Sequence, residues 1–253
     1  RKGFSSADFI YLLTPDRFRN GDIKNDGVKG MLEGPNREFQ GGRHGGDLAG
    51  VIESLDYFKD LGVSSLWLNP VLENDMPAYS YHGYAMTDLY AVDARYGTNE
   101  LYKELADKAK EKGIGIIMDQ VANHIGSSHP WMIDLPSEDW VNQWPEFTQT
   151  NHMKVSRFDP HAAEVDRKQF TDGWFVETMP DLNQRNKKLA RYLIQNSIWW
   201  VEYLGLHGIR MDTWPYPEKQ FLADWTKAIL DEYPNFNVVG EEWVSNPSLI
   251  SYW

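Results

Sequence analysis

Residues 187–212, KKLARYLIQNSIWWVEYLGLHGIRMD, contain one complete unit of helix, turn and strand. The apolar residues recur at helical spacing and predict a helix over 187–203. Gly205 is a typical helix stop. The apolar run that follows predicts a strand over 208–211, and Asp212 stands directly after it.

The same unit recurs along the chain. Apolar runs predict strands over 9–13, 63–68, 114–118, 208–211 and 237–240. Between them, amphipathic patterns predict helices over 48–61, 99–112, 187–203 and 218–232, with Asp47 as the N-cap of the first. Alternation of this kind is typical of a parallel sheet with helical crossovers.

Polar residues at the strand ends favour a barrel over an open doubly wound sheet. These residues are Asp16, Asn69, Asp119, Asp212 and Glu241. A ring of such groups suits the C-terminal face of a (β/α)8 barrel. No Gly-rich phosphate loop follows the first strand, as a nucleotide-binding sheet would require. We therefore expect an α/β fold, a (β/α)8 TIM barrel of which about the first five βα units are present.

Periodicity breaks down between His124 and Pro180, a stretch too long for an ordinary loop. We interpret 124–180 as a small inserted subdomain after the third strand. The first part of the barrel is then 1–123, and its continuation through the fifth strand is 181–253.

Composition narrows the function classes. The 253 residues include 25 Lys and Arg against 37 Asp and Glu, a net charge of −12 that disfavours nucleic-acid binding. No apolar run is long enough to span a membrane. Without cysteine there is no disulfide and no thiolate metal site. The 11 Trp, 13 Tyr and 11 Phe offer flat faces on which sugars stack, although most such rings fill cores.

Two strand ends carry candidate catalytic groups. Arg210 and Asp212 are two residues apart in a strand, so their side chains point to the same side. We expect Arg210 to lower the pKa of Asp212 and keep it ionised, as a nucleophile requires. Glu241 on the next strand is the candidate protonated partner, and such a pair is the minimum apparatus for glycoside hydrolysis. A structural ion pair is the alternative reading of the first two residues.

Six segments resemble the α-amylase family, glycoside hydrolase family thirteen. In order they are GVSSLWLNP at 62, YHGYAMTD at 81, DQVANH at 119, MPDLN at 179, GIRMD at 208 and GEEW at 240. The resemblance implies that Asp212 is the nucleophile and Glu241 the general acid and then base. It further implies substrate contacts by His82, Tyr84, Asp119, His124 and Arg210, with Tyr84 stacking on the sugar and His124 bonding its 6-hydroxyl.

MPDLN and the start of the chain resemble the neopullulanase, cyclomaltodextrinase and maltogenic amylase group. That group has a calcium loop between the first strand and first helix, and the oxygen-rich residues here suit a hard cation. The resemblance implies a structural calcium held by Asn20, Asp22, Asn25, Asp26, Gly45 and Asp47.

The chain also departs from the family pattern. Pro215 and Tyr216 stand where many α-amylases have Lys and His, which puts a second, central calcium in doubt. The third family carboxylate, an Asp after the seventh strand, has no counterpart here. We therefore expect three strands and a C-terminal β domain to be absent, and the isolated chain to lack useful turnover.

The predicted activity is retaining hydrolysis of α-1,4-glucosidic bonds in maltooligosaccharides, cyclomaltodextrins, pullulan or starch. The alternatives are an α-glucosidase or oligo-1,6-glucosidase, and a non-catalytic glucan-binding module. The expected partner is an α-glucan, with no nucleic acid and no membrane. A homodimer of the full-length protein is a further expectation, and the compartment stays open between periplasm and cytoplasm, with a leaning to the periplasm.

Overall fold

A computed structural model describes residues 2–253. The strands are β1 (Ile10–Leu13), β2 (Ser65–Leu68), β3 (Gly115–Gln120), β4 (Gly208–Met211) and β5 (Val238–Gly240). The α-helices are α1 (Pro15–Phe18), α2 (Leu48–Glu53), α3 (Leu55–Asp60), α4 (Asn99–Glu111), α5 (Glu164–Asp172), α6 (Lys187–Leu204), α7 (Lys219–Glu232) and α8 (Pro247–Ile250). Short 3-10 helices lie at Ser80–His82, Pro130–Met132 and Lys154–Arg157.

The five strands form one parallel sheet in the order β1-β2-β3-β4-β5. Each strand pairs with the next in sequence, which is the order of a barrel; a doubly wound sheet reverses its order part-way. The predicted partial (β/α)8 barrel is therefore confirmed. The register places Asp119 of β3 opposite Arg210 of β4, so the candidate site begins as a cross-strand pair.

The predicted first helix is interrupted at Ser54. Its hydroxyl donates a hydrogen bond to the carbonyl of Gly50 at 2.8 Å, and the backbone there leaves helical geometry, with φ −103° and ψ 9°. A serine that bonds back to the preceding turn competes with the helical ladder. The segment is consequently two helices, α2 and α3, instead of one.

Strand β1 is not the buried strand that its apolar run predicts. Leu12 is 51 % exposed and Ile10 is 36 % exposed, whereas Leu13 is buried. Strand β1 pairs with β2 alone among the described residues, so one of its sides lacks a neighbouring strand. Phe9, predicted as its first residue, lies outside the strand and is 48 % exposed.

Several large aromatic residues of the barrel helices fill the core. Trp200 of α6 and Trp225 of α7 are fully buried, as are Tyr102 of α4 and Phe58 of α3. Both tryptophans also place their indole N–H on a buried acceptor: Trp200 on the carbonyl of Leu89 and Trp225 on the Ser197 hydroxyl. These rings stabilise the fold and are not available to a ligand.

Residues 124–180 lie between β3 and α6 and carry only short helices and isolated bridges. Asp172, at the end of α5, forms a two-pronged ion pair with Arg185 at 3.0 and 3.1 Å. That pair ties the segment to the start of α6. In the part of the chain that the structure describes, no helix has the length and apolarity to cross a membrane.

A buried ion pair braces the loop that follows β2. Arg95 donates two hydrogen bonds to the carboxylate of Asp93, at 2.8 and 2.7 Å, and both side chains are buried. Asp93 also accepts from the backbone N–H of Asn74 at 3.1 Å. Burial opposes ionisation of Asp93, but the bonds and charge of Arg95 outweigh it and lower its pKa. The loop that carries His82 and Tyr84 is therefore anchored on this pair.

Replacing one member of this pair is expected to destabilise the fold. Asp93→Asn leaves a guanidinium buried without its counter-charge, so the free energy of unfolding should fall by about 3 kcal/mol. The matched control is Asp107→Asn, which removes an exposed helix ion pair with Lys103 and should change stability by less than about 0.5 kcal/mol. Urea unfolding measures both, and equal effects of the two substitutions would contradict this account.

Candidate active site

One guanidinium group gathers the carboxylates at the ends of β3, β4 and β5. Arg210 contacts Asp119 at 2.8 Å and Asp212 at 2.6 Å through Nη1, and Glu241 at 2.8 Å through Nη2. The shared side of β4 for Arg210 and Asp212, expected from their spacing, is thus present. Three carboxylates face one cation, so the cluster carries a net negative charge when all three are ionised.

Asp119 lies at the bottom of the cluster and is almost fully buried. Its Oδ2 accepts hydrogen bonds from the Trp67 indole at 2.9 Å and the Tyr84 hydroxyl at 3.1 Å. Burial raises its pKa to about 6, although Arg210 and the two hydrogen-bond donors act in the opposite direction. Asp119 therefore fixes the positions of Tyr84 and Arg210 through its hydrogen bonds with both side chains.

Glu241 is the most accessible of the three carboxylates, with 23 % of its side chain exposed. Its Oε2 accepts from the backbone N–H of Thr213 at 2.9 Å, and its Oε1 accepts from the Trp243 indole at 2.6 Å. Thr213 has a φ of +47°, a left-handed conformation that is strained for a β-branched residue. The strained turn directly after Asp212 thus directs an N–H at the neighbouring carboxylate.

The expected order of the two pKa values is reversed in this structure. Burial raises the pKa of Asp212 to about 8, with a further contribution from the charge of Asp119, and the opposing effect of Arg210 is outweighed. The contact expected between Arg210 and Asp212 is present and acts to lower the pKa of Asp212, and the ionised state of Asp212 during the reaction stays a prediction. Burial also acts to raise the pKa of Glu241, but its bonds from Trp243 and Thr213 and the charge of Arg210 lower it overall.

Asp212 and Glu241 are held by the same guanidinium, that of Arg210, at 2.6 and 2.8 Å. Burial raises the pKa of Asp212, whereas the pKa of Glu241, which accepts bonds from Trp243 and Thr213, is lowered. Two neighbouring carboxyl groups whose pKa values differ are the combination that general acid–base chemistry needs.

His82 and Tyr84 lie together beside the carboxylates. The ring centroids are 5.8 Å apart, and Nδ1 of His82 accepts the backbone N–H of Tyr84 at 2.9 Å. Burial lowers the pKa of His82 to about 4, so the ring is neutral and its Nε2 carries the hydrogen. That N–H is placed to donate to a bound hydroxyl group.

His124 is bonded to the loop that carries Tyr84. It is buried, its Nε2 lies 3.1 Å from the Tyr84 carbonyl oxygen, and its Nδ1 lies 3.2 Å from the Asn123 amide nitrogen. These contacts hold Tyr84 in place, and the bond from His124 to a sugar 6-hydroxyl that the resemblance implies stays a prediction.

The inserted segment is bonded to the loops that follow both catalytic strands. Arg157 donates to the carbonyls of Pro215 and Pro217. Lys154 donates to the carbonyl of Trp243 at 3.2 Å. The carbonyls of Pro215 and Pro217, on either side of Tyr216, are thus bound by the guanidinium of Arg157.

The loop between β1 and α2 brings together three of the six predicted calcium residues, Asn20, Asp26 and Gly45. Nδ2 of Asn20 lies 2.6 Å from Oδ1 of Asp26. A side chain at Gly45, with φ +88°, would collide with both, so the backbone of that glycine lies against them. The side-chain oxygens of Asn20 and Asn25 are buried without a hydrogen-bond partner. This set of oxygens fits a hard cation.

The other two predicted ligands have different roles. Both oxygens of the Asp47 carboxylate are occupied: Oδ1 accepts from the N–H groups of Gly21 and Gly50, and Oδ2 accepts from Asp22 N–H. Asp47 therefore caps α2 and shapes the loop, and its role as a calcium ligand stays a prediction. Asp22 is exposed, and its Oδ1 accepts the N–H of Lys24.

Four residues at the site have roles that sequence reasoning did not assign: Trp67, Thr213, Trp243 and Arg157. Trp67 lies in the motif GVSSLWLNP and Trp243 in GEEW, so the two motifs could have pointed to these residues. The positive φ of Thr213 has no sequence signature because threonine rarely adopts it. Arg157 lies in an aperiodic segment, and its partners are backbone carbonyls that any residue supplies.

Comparisons with known proteins agree with this geometry. The α-amylase catalytic domain matches residues 9–253. A cyclomaltodextrinase of Thermoanaerobacter pseudethanolicus is 30 % identical over 95 % of this chain and 40 % of its own length. Alpha-amylase 3 of Dictyoglomus thermophilum is 33 % identical over 82 % of this chain and 42 % of its own.

Among solved structures, an α-amylase of Geobacillus thermoleovorans complexed with acarbose superposes with a TM-score of 0.79 at 33 % identity. It covers 97 % of this chain, which in turn covers 48 % of that structure. The chain thus spans less than half the length of these relatives. With its match over residues 9–253 and its ring of carboxylates at the strand ends, the chain belongs to the α-amylase family of glycoside hydrolases.

Proposed function

We propose that this protein hydrolyses α-1,4-glucosidic bonds with retention of configuration. The observation that carries the proposal is the contact of one guanidinium, that of Arg210, with both Asp212 and Glu241. Retaining glycosidases need two carboxyl groups about 5.5 Å apart, whereas inverting ones leave room for a water molecule between them. Two carboxyl groups that contact one guanidinium support the closer arrangement.

The reaction requires an ionised Asp212 and a protonated Glu241. A bound sugar covers the exposed side of Glu241 and removes water from it, which raises its pKa. Both carboxyl groups contact the same guanidinium, so a proton gained by Glu241 removes a negative charge near Asp212 and favours its ionised form.

From that state each carboxyl group has one task. Glu241 donates its proton to the glycosidic oxygen as the bond to the anomeric carbon breaks, and Asp212 forms the glycosyl-enzyme ester. Glu241, now ionised, then removes a proton from water, whose oxygen attacks the same carbon and releases Asp212. Arg210 remains between them, so the negative charge that develops on Asp212 is stabilised at hydrogen-bond distance.

Tyr84 and His82 supply the surface on which the sugar lies in this proposal. The Tyr84 ring is fixed by its hydroxyl bond to Asp119 and by the His124 contact with its carbonyl. The free N–H of His82 orients a hydroxyl group of the same sugar. Holding the sugar in one pose lowers the entropic part of the barrier.

The relatives indicate the substrate class. Their names include cyclomaltodextrinase and α-amylase, and we propose maltooligosaccharides, cyclomaltodextrins, pullulan or starch as substrates of the native polypeptide. Both catalytic carboxylates are present and contact one guanidinium, which argues against a glucan-binding module without activity. No observation on the site favours α-1,6 over α-1,4 bonds.

Calcium is part of the proposal as a structural ion. Asn20, Asn25 and Asp26 would hold it through side-chain oxygens, and Gly45 through its carbonyl. Its chemistry there is to neutralise the charge of Asp26 and to fix the loop between β1 and α2. It takes no part in bond cleavage.

Substitution of each catalytic carboxylate in the native polypeptide is expected to give a distinct defect. Asp212→Asn removes the nucleophile, so turnover of maltoheptaose should fall by at least about 1,000-fold. Glu241→Gln should lower the turnover of maltoheptaose to a similar extent. This variant should still release a burst of fluoride from α-maltosyl fluoride, because fluoride leaves without protonation.

The matched control is Asp231→Asn, an exposed carboxylate of α7 paired with Lys227, which should retain activity within about twofold. Full activity of Asp212→Asn, or loss of the fluoride burst in Glu241→Gln with retention of it in Asp212→Asn, would contradict the assigned roles.

Removal of calcium is expected to lower the melting temperature. An ion bound only by the folded state stabilises that state, so EGTA should lower Tm and added calcium should restore it. Asp26→Ala should abolish the response to EGTA, while Asp22→Ala should preserve most of it, because Asp22 is exposed. A melting curve that EGTA does not change, with no calcium found by elemental analysis, would exclude the site.

A further inference from the structure

Two aromatic rings stand exposed at the edge of the loop after β1. Phe39 is 43 % exposed and Tyr79 is 52 % exposed, and their ring centroids lie 5.5 Å apart at an angle of 66°. We refer to this pair as the Phe39–Tyr79 platform. Covering these two rings with a ligand would remove apolar surface from water, which is favourable.

The platform is rigidly built. Tyr79 has a φ of +58°, a conformation that is unusual for a bulky residue. A side chain on Gly41 would lie 2.3 Å from the Tyr79 ring, so the ring rests directly against the backbone of that glycine.

The residue after Tyr79 holds this geometry in place. Ser80 is buried; its backbone N–H donates to Glu33 at 2.7 Å, and its hydroxyl accepts from Arg43 at 3.2 Å. Strained backbone persists where surrounding contacts determine it, and it concentrates at binding sites. The contacts of Ser80 thus hold the ring of Tyr79 in its exposed position.

A continuous series of side chains joins the platform to the active site. The guanidinium of Arg17 lies 3.8 Å above the Tyr81 ring and donates to the carbonyl of Gln40 at 2.8 Å, beside Phe39. Tyr81 contacts His82 with ring centroids 5.9 Å apart. His82 contacts Tyr84, which is bonded to Asp119. The platform is the outer end of this aromatic series.

We propose that the Phe39–Tyr79 platform binds glucose units of an α-glucan that are remote from the bond being cleaved. The proposal rests on the proposed function, since it requires the same chain of sugars to reach Asp212 and Glu241. Sugars present apolar C–H faces that stack on flat rings. Arg17, between the platform and Tyr81, offers N–H groups to hydroxyls along the way.

The test measures binding of two ligands of different length. In the native polypeptide carrying Asp212→Asn to prevent turnover, calorimetry gives Kd for maltoheptaose and for maltose. Adding Phe39→Ala and Tyr79→Asn removes both rings, and asparagine tolerates the left-handed backbone at position 79. We expect Kd for maltoheptaose to rise about tenfold, which corresponds to about 1.4 kcal/mol, with Kd for maltose unchanged.

Two controls accompany that variant. Tyr57→Ala removes an exposed ring of similar exposure, 51 %, from α3 and should leave both affinities unchanged. Phe39→Trp with Tyr79→Phe keeps flat rings and should retain the affinity for maltoheptaose. Equal melting temperatures across the set show that folding is preserved.

The outcomes separate this inference from the proposed function. Unchanged affinity for maltoheptaose in the double variant overturns the platform while the parent still binds glucan. A changed oligomeric state with unchanged glucan affinity also overturns it, because the rings then contact another subunit. Failure of the parent to bind either ligand overturns the proposed function and the platform together.

Discussion

The site depends on one cation shared by three carboxylates. Arg210 bonds to Asp119, Asp212 and Glu241, which come from three successive strands. One positive charge does not neutralise three negative ones, and the charge of Asp119 adds to burial in raising the pKa of Asp212. The reaction needs one ionised and one protonated carboxyl group, and this coupling of charges makes the protonation of one group depend on the other. Removing the arginine would leave the carboxylates to repel one another.

The fold creates this arrangement through strand order and register. Parallel pairing of β3, β4 and β5 brings their C-terminal ends to one edge, and the register sets Asp119 opposite Arg210. The loops then adjust the chemistry of each group. The turn at Thr213 and the indole of Trp243 keep Glu241 ionised in the free site, while the inserted segment fixes both loops through Arg157 and Lys154.

Sequence patterns predicted the architecture because its signals are local. The helix–glycine–strand unit at 187–212 and the i, i+2 spacing of Arg210 and Asp212 need no knowledge of distant residues. The raised pKa of Asp212 could not be predicted in this way, since it results from burial and from Asp119 on another strand. The contacts of His124 and Asp47 could not be predicted either, because their side chains bond to backbone groups that only the folded chain brings near. The division into domains and the calcium ion stay predictions.

The identity of the nucleophile is the central claim, and the ionised state of Glu241 in the free site makes Glu241 the alternative. Covalent trapping of the native polypeptide tests it directly, with a ring-fluorinated α-glucosyl fluoride that forms the glycosyl-enzyme and hydrolyses slowly. Cleavage after Arg210 gives a peptide that begins at Met211 and contains Asp212. Mass spectrometry should find the added sugar on Asp212 in that peptide. A label on Glu241 would contradict the assignment of the two carboxyl groups.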